Sequence, residues 1–172
     1  RTMFDGILKL PPAHILVWQH DQARLECYWD LDFTKKVESN EEDWCERIID
    51  LLNDSVKRRM VSEVPIGALI SGGIDSSTVV ALMARNSEQS IKTFSIGFED
   101  EDFNELPYAR KVAGFLHTEH YEIMMKPDAF KILSKLTWHY GEPFGDESCI
   151  PTYYVSNLAR QHVAVVLTGD GG

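Results

Sequence analysis

The stretch from Val64 to Ser77 constrains the fold more than any other. An apolar run, Ile66 to Ile70, is cut off by Ser71-Gly72-Gly73, and Ser76-Ser77-Thr78-Val79-Val80-Ala81-Leu82-Met83 follows. A short apolar run bounded by glycines reads as a buried strand, and the residues after it read as a helix. A strand, a glycine turn and a helix start make a built-in anion site. The glycines let the backbone approach a ligand, and the first N–H groups of the helix have no partners of their own. Phosphate is the natural guest. The same residues would also serve as ordinary capping where a strand feeds a helix, but a buried strand before and a helix after are the context a phosphate loop needs.

Asp75 makes the loop more than a generic nest. A carboxylate and a phosphate in one pocket repel unless a divalent cation lies between them, and Mg2+ takes oxygen ligands of both kinds. The loop therefore predicts a magnesium nucleotide. No Gly-Lys-Ser/Thr follows and no Gly-x-Gly-x-x-Gly is present, so it is neither a Walker A loop nor a dinucleotide fingerprint. Ser-Gly-Gly-x-Asp-Ser resembles instead the pyrophosphate-binding loop of the ATP pyrophosphatases, which split ATP between its α and β phosphates to adenylylate a substrate.

Further strands are expected at 91–98, 119–123 and 163–167, alternating with helices to about 86 and over 105–116, 128–140 and 151–160. Strands alternate with helices, and 66–70 and 163–167 are continuous apolar runs, which predicts an α/β fold: a parallel, Rossmann-like sheet with helices on both faces. Such sheets bind ligands at the carboxyl ends of their strands. Residues 71–77, 96–98 and the glycine-rich 168–172 should then face one crevice. Upstream, Ser39-Asn40-Glu41-Glu42 fits a capping box before a helix to about Val61, packed through Trp44, Ile48, Leu51, Leu52, Val56 and Met60. Residues 1–32 read as a β-rich lead-in with a hairpin about Gln19-His20-Asp21-Gln22, which should pack on the following domain or on an upstream one.

With 172 residues, 44% of them hydrophobic, the chain can bury one sizeable core. Its net charge is −10, and Lys35-Lys36 and Lys57-Arg58-Arg59 are the only basic clusters, so a nucleic-acid surface is not expected. No run approaches the roughly 18 apolar residues of a membrane span, and the expectation is a soluble, cytoplasmic chain without a membrane partner. Cys27, Cys45 and Cys149 lack Cys-x-x-Cys spacing, which argues against a zinc site or a disulfide frame and for small buried hydrophobes. The acidic run 99–102 reads as a solvated loop. His117 and His120, three apart on an expected strand, would point to opposite faces and hold no metal.

Four segments resemble the synthetase domain of the glutamine-hydrolysing asparagine synthetases: residues 65–77, residues 92–98, Glu142-Pro143-Phe144-Gly145-Asp146 through Ile150-Pro151-Thr152-Tyr153-Tyr154, and Leu167-Thr168-Gly169-Asp170-Gly171. Leu10-Pro11-Pro12-Ala13-His14 is similar to the segment leading out of that family's glutaminase domain. The resemblance implies that residues 1–35 are the tail of a glutaminase domain and a linker hairpin, and that 36–172 are the amino-terminal part of the synthetase domain. It implies an ATP-dependent amide ligase that adenylylates aspartate or a similar carboxylate and then uses ammonia from glutamine, with ATP and Mg2+ as cofactors. Ser71, Gly72, Gly73, Asp75 and Ser76 would hold pyrophosphate and Mg2+, Asp75 being the one catalytic and metal-binding carboxylate, while Leu69, Ile96 and Gly169 would flank the adenosine. The family pattern continues beyond Gly172 into an Asp-Glu pair, and its glutaminase cysteine is not in these residues, so the fragment alone is expected to be inactive. Two alternatives stay open: a related amidotransferase with another acceptor, or a non-catalytic nucleotide-binding module of the same fold. A homodimer is compatible with either.

Overall fold

The computed structural model describes residues 2–125 and 129–170; the expected helix start at Asp128 and the final Gly171-Gly172 lie outside the described residues. Four strands, β3 (Ile66–Leu69), β4 (Lys92–Phe98), β5 (Glu119–Met125) and β6 (Val165–Leu167), form an all-parallel sheet in the order β5-β4-β3-β6. Helices α2 (Ile74–Arg85) and α3 (Leu106–Phe115) link the first three, with α1 (Glu41–Arg59) ahead of them. Helices α4 (Ala129–Tyr140) and α5 (Cys149–Arg160) precede β6. The expected parallel sheet with helices on both faces is what forms.

Right-handed crossovers decide which face each helix covers. The chain steps outward from β3 to β5 and then returns past β3 to β6, so the two sets of connections lie on opposite faces. On one face Ala68 and Ile70 meet Val80 and Met83 of α2, Val56 of α1 and Ala109 of α3. On the other, Phe94 packs with Val155 and Ala159 of α5, and Leu69 and Ile96 pack against that cluster. Neighbouring strand residues point to opposite faces, so an unbroken apolar run serves both cores. Phe94 is fully buried, which favours folding by about 1.5–3 kcal/mol.

Three expectations about the helices and cysteines are corrected. Helix α1 is capped one residue later than the capping box implied, the Asn40 side chain accepting from Asp43 N at 2.8 Å. Only its carboxyl-terminal half is covered: Leu52, Val56 and Met60 join the core, whereas Ile48 and Leu51 are 53% and 63% exposed and Trp44 remains exposed too. The reason is positional, since α1 packs chiefly against α2 and reaches the core through its carboxyl-terminal end, and α2 is the shorter helix. Cys27 and Cys45 are exposed, and Cys149 alone is buried.

The hairpin is present, β1 (His14–Gln19) pairing antiparallel with β2 (Gln22–Cys27). His20 and Asp21 both have positive φ, 52° and 58°. That is the two-residue turn whose twist matches its strands. Of the two packings expected for it, that on the following domain does not form among the described residues: Ile15, Leu16, Trp18 and Leu25 stay exposed and join none of the core clusters. The amino-terminal segment is tied to the main body at Glu142, which accepts from Met3 N at 2.8 Å and pairs with Lys9. Among the described residues, no helix is long and apolar enough to cross a membrane.

His117 is not on a strand. It takes φ 52° just past α3, where Thr118 N donates to Ala113 O and closes the helix. His120, on β5, shares a hydrogen bond with the Thr93 hydroxyl through Nδ1, and its Nε2 lies 3.2 Å from the Glu122 carboxylate without a well-aligned hydrogen bond. Arg110 of α3 donates twice to Glu122. Burial pushes the His120 pKa down, while the Arg110 hydrogen bonds hold the Glu122 carboxyl below its ordinary value. Both groups bind protons more readily unfolded than folded, so each contributes stability above its unfolded pKa that is lost as pH falls through its folded pKa. Urea midpoints should therefore fall as the pH drops below about 6.5 and fall further below about 4.3. Arg110→Ala should flatten the lower part of that profile, and an NMR titration should show the Glu122 pKa rising towards its ordinary value.

Candidate active site

The sheet order places a switch point between β3 and β6, where connections depart to opposite faces and leave a crevice outside the carboxyl ends. A cavity of about 420 Å³ opens there. Its floor and walls come from the ends of β3 and β4 (Leu69, Ile70, Ser95, Ile96, Phe98), the loop and first turn of α2, the start of α3 at Glu105, the α5 residues Pro151, Thr152 and Val155, and the segment after β6. The three loops expected to share one crevice do so as far as the described residues go, the last through Thr168, Gly169 and Asp170.

Helix α2 begins at Gly73 with no side chain capping it. Its first backbone donors, at Ile74, Asp75 and Ser76, have no acceptor one turn back and sit at the cavity. The Ser71 and Ser76 hydroxyls lie 3.0 Å apart, and the Ser76 hydroxyl also accepts from Ser71 N at 3.2 Å. This bracing holds the loop open as a cradle. Gly169 completes the cradle from the β6 side, where a Cβ would lie 2.6 Å from Ser76 N. Only glycine lets these two backbones touch.

Of the expected site residues, Leu69, Ser71, Gly73, Asp75, Ser76, Ile96 and Gly169 all line the cavity. Gly72 does not. With φ +87° it turns away and packs under α3, where a Cβ would meet Tyr108 C and Ala109 N at 2.6 Å. Its place is to seat the loop on α3. Sequence reasoning missed Glu105, Pro151, Thr152 and Val155 as cavity residues. For Glu105 a signal existed, since the first helix after a strand's carboxyl end faces the crevice; for the α5 residues none did, because their approach depends on the crossover.

The electrostatics are one-sided. Three carboxylates, Asp75, Glu105 and Asp170, line the cavity, and no lysine, arginine or histidine does so among the described residues. Nor do three or more His, Cys, Asp or Glu side chains converge tightly enough there to hold a metal ion by themselves. Backbone donors in a glycine cradle suit phosphate, and scattered carboxylates suit a cation shared with that phosphate, so the donor set fits a magnesium nucleotide.

The family model Asparagine synthase matches residues 47–172. The chain belongs to the asparagine synthase family. It is 41% identical over 99% of its length to a "Putative asparagine synthetase [glutamine-hydrolyzing] 2" of Methanocaldococcus jannaschii, covering 34% of that protein. It is 38% identical, again over 99% of its length, to "Asparagine synthetase [glutamine-hydrolyzing] 1" of Bacillus subtilis, covering 27% of it. The chain thus spans about a third or less of these relatives. Among solved structures, an ammonia-dependent NAD synthetase from Campylobacter jejuni is 18% identical over 70% of this chain and 54% of its own, with a TM-score of 0.47.

Proposed function

We propose that this chain is the nucleotide-binding part of a ligase that adenylylates the side-chain carboxylate of aspartate and passes it to ammonia derived from glutamine. The observation that carries this reading is the junction of Gly169 with the first turn of α2, which builds a phosphate cradle at the switch point with Asp75 on its rim. A carboxylate resists attack by ammonia until one of its oxygens becomes part of a good leaving group; attack of that oxygen on the α-phosphorus of ATP expels pyrophosphate and gives an acyl-adenylate, from which ammonia displaces AMP. The loop and α2 donors would hold the β and γ phosphates as they depart as pyrophosphate. Leu69, Ile96 and Gly169 would flank the adenosine, and Val155 adds an apolar wall opposite. Asp75 would hold Mg2+, which supplies charge neutralisation at the phosphates.

In this reading residues 1–35 are the tail of a glutaminase domain and its linker. The exposed apolar side chains of the hairpin support it, because an isolated surface of that kind implies a covering partner. The chain alone is proposed to bind nucleotide without completing the reaction. The test is ATP–pyrophosphate exchange in the complete protein with aspartate, glutamate or no acceptor. Exchange that depends on aspartate is expected; exchange indifferent to the acceptor, or none at all, would overturn the assignment. A passive module of this fold would bind ATP and return no label.

A further inference from the structure

The geometry points to Glu105 as a residue that restricts the cleft to metal-complexed nucleotide, an inference that rests on the nucleotide-binding reading above. Glu105 occupies the N-cap position of α3, but its side chain makes no capping hydrogen bond. It lines the cavity instead. Its helix is held directly against the phosphate loop, since the Gly72 backbone abuts Tyr108 and Ala109 one turn further on. The carboxylate thereby lines the same cavity as the phosphate loop and Asp75.

Asp75, Glu105 and Asp170 give the cleft three negative charges, with no basic side chain among the described residues to offset them. Metal-free ATP would bring about four more negative charges at pH 7 into the same space. Backbone donors alone would have to outweigh that repulsion. The carboxylates do not converge into a cage that binds a free ion. A cation carried by the nucleotide relieves that repulsion, so the metal complex is the form that suits this donor set. Asp75 alone would give only modest discrimination between the two forms; a second carboxylate, Glu105, in the same cavity enlarges it. This is specificity by repulsion: the wrong ligand is excluded by an unfavourable contact and not by a missing favourable one.

The test is titration calorimetry of the 172-residue chain with ATP in excess Mg2+ and with ATP in a chelator, repeated for Glu105→Gln and Glu101→Gln. Glu101 lies on the same connection, is exposed and does not line the cavity. The unaltered chain should favour the magnesium complex by about tenfold or more. Glu105→Gln should tighten metal-free ATP several-fold and shrink that ratio by about tenfold, with an unchanged thermal midpoint, while Glu101→Gln leaves the ratio as it was. A ratio unaltered by Glu105→Gln, or shifted equally by Glu101→Gln, would overturn the role of Glu105 and leave the nucleotide reading standing. No binding of either form by the unaltered chain would overturn both.

Discussion

Asp75→Asn in the complete protein should lower the rate of ATP–pyrophosphate exchange by about a hundredfold or more, a loss of ~3 kcal/mol of transition-state stabilisation. Asparagine keeps the shape of the side chain and most of its hydrogen bonding but removes the charge that would fix a cation on the departing phosphates. The same change should hardly affect folding. Asp75 sits exposed in the first turn of α2, where its interaction with the helix terminus is worth only about 0.3–1 kcal/mol. That split between activity and stability is the signature of a residue held for chemistry. If exchange survives with the folding midpoint lowered, Asp75 merely favours the start of its helix.

Gly72→Ala should do the opposite and unfold the chain more readily, by about 3 kcal/mol or more. Two costs combine: φ +87° is strained for a side-chain-bearing residue, and the new Cβ would press on the backbone of α3, not on a yielding side chain. Urea unfolding of this chain measures the loss directly. Gly73→Ala is the matched control. Its φ is −71° and its nearest neighbour would be the Ser71 hydroxyl at 3.3 Å, so it should cost about 1 kcal/mol or less. Equal losses at the two glycines would show that the α3 contact does not hold the loop.

The sequence displays two of its buried strands openly because a parallel strand covered on both faces has no polar alternation to disguise it; Ile66-Gly67-Ala68-Leu69-Ile70 and Val163-Ala164-Val165-Val166-Leu167 are legible for that reason. The phosphate cradle is legible where it is local in the chain, as at Ser71-Gly72-Gly73 and Asp75. Parts that depend on a second element are not. Glu105 reads like any acidic residue at a helix start; its place after the carboxyl end of β4 hints at the crevice, and the docking of α3 on Gly72 brings it there. His117 reads as part of a strand because its left-handed turn is set by the hydrogen bonds that close α3, not by its own side chain. The α1 stripe misleads in the other direction: Trp44 and Ile48 have helical spacing, but periodicity says which residues share a face and not how much of that face meets a neighbour. Pro151, Thr152 and Val155 carry no signal of their own, since a right-handed crossover delivers them.

The contact between Gly169 and Ser76 also fixes when the cleft can come into being. Ile66 pairs with Val165, about a hundred residues further along the chain, and closing so long a loop carries an entropic cost that must be met before the pairing returns anything. During synthesis the Ser71–Ser77 loop leaves the ribosome while its partner strand has yet to be made. Until β6 docks beside β3, half of the cradle is absent and nucleotide has little to grip. Nucleotide affinity in this chain therefore reports the docking of β6 beside β3, and a ligand that binds only the finished cleft would pull that docking to completion by mass action.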